Sequence, residues 1–230
     1  MQFLLIIPLI RFVLSHDAFF ALMVTNNAVI QQVTQIQTNL TQANPQFVKY
    51  LHNSSFLFVK LNSIQFDDQN KPRLDNLINY LPKNLCNISY SVPVLFAGTT
   101  IQKNRTLIGK MNAMSSQVIT TVHSEINRQL NQSQINATDV FDIYSPKMDL
   151  LELDDSKHDD LLQIMTNRTA DFHLSAGDFV KEIVLLNAST SSGSFHDVLA
   201  RAPLAPCANI SDFKIHLLTN NRVPIGLAYI

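Results

Sequence analysis

The stretch AFFALMVTNNAVIQQVTQIQTNL, residues 18–40, sets the reading of the fold. Ala18 to Val24 is apolar throughout, with no polar residue at alternate places, which is the pattern of a strand buried on both faces. Beyond Asn26, the residues Val29, Val33, Ile36 and Leu40 recur at steps of four, three and four, the apolar face of a helix. A strand therefore feeds a helix. Working outward, Phe56 to Leu61 (FLFVKL) is again aromatic and β-branched. Met114, Val118, Val122, Ile126 and Leu130 recur every fourth residue, and the strand-like DVFDIY follows at 139–144. Strands alternating with helices predict a three-layer α/β domain, with a mainly parallel sheet of about four strands flanked by helices. The expected strands include 18–24, 56–61 and 139–143, and the expected helices cover 28–43 and 111–130. Pro72, Pro82 and Pro93 break the rhythm over 65–110, and Ser, Gly and Pro do so over 188–206, so both read as surface insertions in one domain spanning 16–230.

The address is written more densely than the chemistry. Nine N-x-S/T sequons stand at Asn39, Asn53, Asn87, Asn104, Asn131, Asn136, Asn167, Asn187 and Asn209, where this Asn, Ser and Thr content gives about three by chance. Residues 1–15 carry an apolar core from Phe3 to Leu14, with Val13 and Ser15 before a cleavage point, and read as a signal peptide. A secreted, extracellular glycoprotein without a stable membrane span is expected. The two cysteines, Cys86 and Cys207, either form one disulfide in that oxidising setting or remain buried thiols. A net charge of −1 with 15% charged residues lacks the basic excess of a nucleic-acid binder.

General motifs exclude several activities. GxGxxG, GxxxxGK, HExxH, CxxC and GxSxG are all missing, which removes direct support for dinucleotide, NTP, zinc-protease and α/β-hydrolase readings. The acidic run Asp154, Asp155, His158, Asp159 and Asp160 lacks the spacing and turn glycine of a calcium loop and reads as a solvated helix face. No cofactor and no metal site are expected.

Three blocks carry a family resemblance. YLHNSSFLFVKLNSI (50–64), the helix from Asn112 to Leu130 with VFDIYSPKMDLL (140–151), and PCANISDFKIHLLTN (206–220) are similar, in that order, to segments of the GDSL-type (SGNH) esterases and lipases. The chain resembles a divergent or N-terminally truncated member of that family, with an SGNH or flavodoxin-like fold that is incomplete. The resemblance implies that His216 is a general base and that Asp212 orients it, Phe213 standing where the family has its carboxylate. It also implies that Asn26, in VTNN, is an oxyanion-hole donor, although Asn26 is equally well placed as a helix N-cap. The nucleophile is unknown, because the family's serine block falls ahead of Asn26; Ser63 is one candidate. Gly177-Asp178-Phe179 echoes that block without its serine.

Two functions follow. One is a secreted carboxylic-ester hydrolase acting on lipid or acetyl esters, with an incomplete site. The other is a non-catalytic glycoprotein that binds a protein partner, which would cover an incomplete sheet edge near 18–24.

Overall fold

The computed structural model describes residues 16–138, 144–154, 158–188 and 197–207. In chain order its elements are β1 (His16–Val24), α1 (Asn27–Ala43), β2 (Leu57–Phe66), α2 (Lys71–Leu85), β3 (Val92–Gln102), β4 (Thr106–Met111), α3 (Ala113–Gln132) and β5 (Asn136–Ala137). There follow β6 (Lys147–Glu152), α4 (Asp159–Arg168), β7 (Gly177–Val180), β8 (Glu182–Asn187) and β9 (Val198–Pro203). The expected leader 1–15 and the expected strand 139–143 lie outside the described residues.

The three-layer parallel sheet is corrected. The strands form two antiparallel sheets, ordered β5-β2-β1-β8-β9 and β6-β4-β3-β7, and every pairing within them is antiparallel. The first strand, helix and second strand fall where the sequence puts them, but the direction of β2 is reversed. A 17-residue α1 of about 26 Å would deliver a parallel strand if the chain turned directly into it. Instead the stretch from Asn44 to Phe56, which includes a short 3-10 turn at Pro45–Tyr50, carries the chain back to the top of β1, where Val24 faces Leu57.

Ala18–Val24 is apolar throughout because both faces of β1 are covered. Ala18, Phe20, Leu22 and Val24 enter the main core beneath the helices, while Phe19, Ala21 and Met23 join a second cluster with Phe56, Val184 and Leu186 on the opposite face. β1 is the middle strand of its sheet, paired with β2 on one side and β8 on the other. The proline-interrupted stretch 65–110 holds α2, β3 and β4. Pro72 falls in the first turn of α2, where no helical N–H is needed. A disulfide joins Cys86, at the end of α2, to Cys207, beyond β9.

The two sheets follow one plan. The units β1-α1-β2 and β4-α3-β6 each place an inner strand beside an outer one, and the row β2-β1-β8-β9 matches β6-β4-β3-β7. β2 and β6 thus occupy corresponding places, and the chain joins them along a seam. Leu51 bridges to Leu151, the His52 N–H donates to the Leu150 carbonyl at 3.0 Å, and the Tyr144 hydroxyl donates to the Lys60 carbonyl at 2.8 Å.

Candidate functional site

A cleft of about 530 Å³ opens at this seam, lined by residues of both sheets. Its walls differ in kind. On the β1–β2 side stand Phe19, Phe56 and Phe58, backed by the second apolar cluster. The Phe19 and Phe58 rings lie 5.2 Å apart with a tilt of 38°, and Phe56 meets Phe58 edge-on at 6.0 Å. The Lys60 ammonium rests 5.6 Å from the centre of the Phe19 ring, close enough for a cation–π attraction. Strand alternation accounts for the wall: Phe58 and Lys60 share one face of β2, while Leu57 and Val59 are turned into the main core.

The other wall is polar. Lys147 and Asp149, two apart on β6, both face the cleft, with Gln102 and Lys103 at the end of the β3–β4 hairpin. The Lys147 ammonium donates to Gln102 Oε1 at 2.9 Å and lies 3.2 Å from Asp149 Oδ1. That carboxylate oxygen is shut off from solvent, and the Lys147 charge is its partner. Lys60, Lys103 and Lys147 against Asp149 give the described lining two more cations than anions.

Tyr144 also lines the cleft, beside Lys60. Its ring lies flat on His123, 3.8 Å between centres and 2° between planes. Burial pushes the Tyr144 hydroxyl well above its ordinary value of 10.0, so it stays protonated and acts as a neutral donor. Behind it, Asn127 joins His123 to the buried Asn62, whose Nδ2 donates to Asn127 Oδ1 at 2.7 Å.

The residues expected to form a hydrolase site are not gathered here. His216, Asp212 and Asn209 lie outside the described residues. Asn26 caps α1, its Oδ1 accepting from the Ala28 N–H at 2.8 Å, and it is absent from the cleft lining. Asp178, in the Gly177-Asp178-Phe179 echo, accepts from the backbone N–H groups of Thr25 and Asn26 at 2.7 and 3.0 Å and ties β7 to the end of β1. In the acidic run, His158 Nε2 lies 2.6 Å from Asp154 Oδ1 and 3.0 Å from the Tyr50 hydroxyl, pinning the start of α4 to the Pro45–Tyr50 turn. Among the described residues no group of three or more His, Cys, Asp or Glu side chains is placed to hold a metal ion. Sequence reasoning missed Phe56, Phe58, Lys147 and Asp149. The available signal was the pair of seam segments FLFVKL and PKMDLL, which share a face only once β2 and β6 meet.

The same arrangement of two antiparallel sheets is found in solved structures that include a phosphoesterase. The chain aligns with a crystal structure of a phosphoesterase at a TM-score of 0.61 with 12% identity, over 84% of this chain and 99% of that one. It aligns with Escherichia coli LigT complexed with 3'-AMP at 0.58 and 13% identity (83% and 98% of the two chains), and with Kluyveromyces marxianus Usb1 at 0.57 and 13% identity (82% and 98%). No family model matches the sequence. The chain is 54% identical over 213 residues to the uncharacterized protein C35A5.6 of Caenorhabditis elegans, covering 92% of this chain and 89% of that one, and it belongs to the family of that nematode protein.

These likenesses overturn the GDSL-type resemblance, and with it the carboxylic-ester hydrolase reading and the esterase and lipase labels. The first two blocks hold a strand (β2), a helix (α3) and a strand (β6) in order, and 208–220 of the third lies outside the described residues. An antiparallel fold supplies the same order with different neighbours, so the shapes agree while the site does not.

Proposed function

We propose that the seam cleft binds a small phosphate ester carrying a flat ring, a nucleotide being the model ligand, and holds it with little or no turnover. The observation that carries this reading is the pairing of an aromatic wall with a cationic one. Phe19, Phe56 and Phe58 offer ring faces and edges to a base, and Lys60, Lys103 and Lys147 offer donors to a phosphate. A ligand hydroxyl on this wall would find an acceptor in the Asp149 carboxylate. The fold adds support, since LigT has been crystallised with 3'-AMP, with ATP, with NADP+ and with phosphate. Any chemistry on this scaffold would fall on a phosphodiester and not on a carboxylic ester.

Acid–base cleavage of a phosphodiester asks for one group to take a proton from the attacking oxygen and a second to give one to the leaving oxygen. Among the described lining residues His52 is the one imidazole. Asp149 lies against Lys147, and Tyr144 is a neutral donor already engaged with the Lys60 carbonyl. Phe56, just before β2, and Phe58, within it, cannot move protons. This favours binding over rapid cleavage.

Calorimetric titration with 3'-AMP is the test, with chromatography of the mixture to follow cleavage. Saturable binding is expected, weakened about tenfold or more by Lys147→Met, a loss of about 1.4 kcal/mol. No saturation up to about 10 mM ligand would sink the binding claim, and rapid cleavage would sink the claim of weak turnover.

A further inference from the structure

The nine sequons play no part in the cleft as described so far, yet three of them sit at its ends. Asn53 directly follows His52, and Asn104 directly follows Lys103; both His52 and Lys103 line the cleft. His52 is bound to β6 at Leu150, and the β3–β4 hairpin is joined to the end of β6 through the Leu153 N–H and the Arg105 carbonyl. Asn53 and Asn104 therefore flank the same end of the groove. Asn187 directly precedes Ala188, another lining residue, and pairs with Ala18 near the start of β1. The Ala188 N–H reaches the Asp17 carbonyl, whereas the His52 end of the groove lies toward Leu57 and Val24. Asn187 thus stands at the opposite end.

None of these three residues is buried. Asn104 is exposed in a left-handed turn position (φ 54°), and Asn53 and Asn187 are half-buried. The Asn53 side-chain oxygen accepts from the Ser55 N–H at 2.9 Å, so that bond leaves its nitrogen, the atom that carries an N-glycan, uninvolved. None of the eight described sequon asparagines is buried, and a disulfide is present, as a chain matured in an oxidising compartment would have.

We propose that N-glycans on Asn53, Asn104 and Asn187 close both ends of the groove, so that it admits a mononucleotide-sized ligand and excludes a polynucleotide. This rests on the ligand class proposed above and narrows it. A polymer must leave a groove at one end or both, whereas a small ester fits between the ends. A sugar tree rooted one residue from each end obstructs the first and spares the second.

The experiment uses the full chain expressed through a eukaryotic secretory pathway, with glycopeptide mapping of the three sites. A small amine-acylating reagent and the same reagent on a polyethylene glycol chain are then compared for their rates at Lys147, read by mass spectrometry. Both are applied to the glycosylated protein, to the same protein after N-glycosidase treatment, and to Asn53→Gln/Asn104→Gln/Asn187→Gln. Occupied sites are expected, with the bulky-to-small rate ratio rising about tenfold or more on loss of the glycans, and unchanged in Asn39→Gln/Asn167→Gln. Unoccupied sites, or a ratio that does not change, would overturn the proposal. Because this readout needs no nucleotide, it separates failure of the glycan rim from failure of the binding reading. The glycosidase arm keeps the test valid if the triple variant does not fold. In parallel, 3'-AMP affinity should change by less than about twofold on glycan removal, while a single-stranded 12-mer should bind only the stripped protein.

Discussion

Removing the Cys86–Cys207 disulfide should cost this fold a large part of its stability. The bridge spans a sequence separation of 121 residues and ties the end of α2 to the segment leaving β9, two elements that pack against each other. In the chain-entropy account, closing a loop of that length removes about 16 cal/mol/K from the unfolded ensemble, or about 4 to 5 kcal/mol at 25 °C. Domains of this size hold roughly 5 to 15 kcal/mol in all, so the loss brings the protein close to unfolding. The assay is urea unfolding followed by circular dichroism, with wild type compared against Cys86→Ala/Cys207→Ala and against wild type under reductant. With a slope of about 2 kcal/mol/M, the midpoint should fall by about 2 M in both reduced and substituted forms. A shift below about 0.5 M in both would refute the reasoning, since it would mean that the bridge restrains little of the unfolded chain.

Gly177→Ala places a Cβ against the Leu95 side chain and 2.9 Å from the Val94 carbonyl oxygen, a backbone atom with little room to give. It should cost about 1 to 3 kcal/mol in thermal unfolding. Phe47→Ala, at a fully buried side chain, should cost about 3 to 5 kcal/mol by the same measurement. Tyr144 carries a raised pKa, so above about pH 10 the unfolded state gives up its proton first and stability declines with rising pH. Tyr144→Phe should flatten that alkaline decline in denaturant titrations, and an equal slope in both proteins would count against the buried hydroxyl.

Local structure was legible in the sequence, and the way the pieces meet was not. The helix face Val29, Val33, Ile36 and Leu40 is buried as its spacing requires, and α3 buries Val122, Ile126 and Leu130 in the same way. The strand Ala18–Val24 was equally plain. Its two apolar faces, however, look the same whether they are covered by helices on both sides or by helices on one side and an aromatic cluster on the other. Direction is the part that periodicity does not encode: the Asn44–Phe56 return reverses β2 without changing the pattern of β2 itself. The cleft depends on that reversal, because it brings the face bearing Phe58 and Lys60 opposite Lys147 and Asp149, residues nearly ninety apart in the chain. Pro82 and Pro93 masked α2 and β3 as an irregular stretch, although Pro82 lies in the final turn of its helix and Pro93 is buried in its strand.

Amide and side-chain chemical-shift mapping by NMR, during titration with 3'-AMP, tests the central claim most directly. The account predicts saturable shifts on both walls of the seam at once, at Phe19, Phe56 and Phe58 on one side and at Lys147 and Asp149 on the other, with Asn26 at the start of α1 unmoved. Shifts confined to one wall or to the outer helices, or no saturable shifts at all, would contradict it.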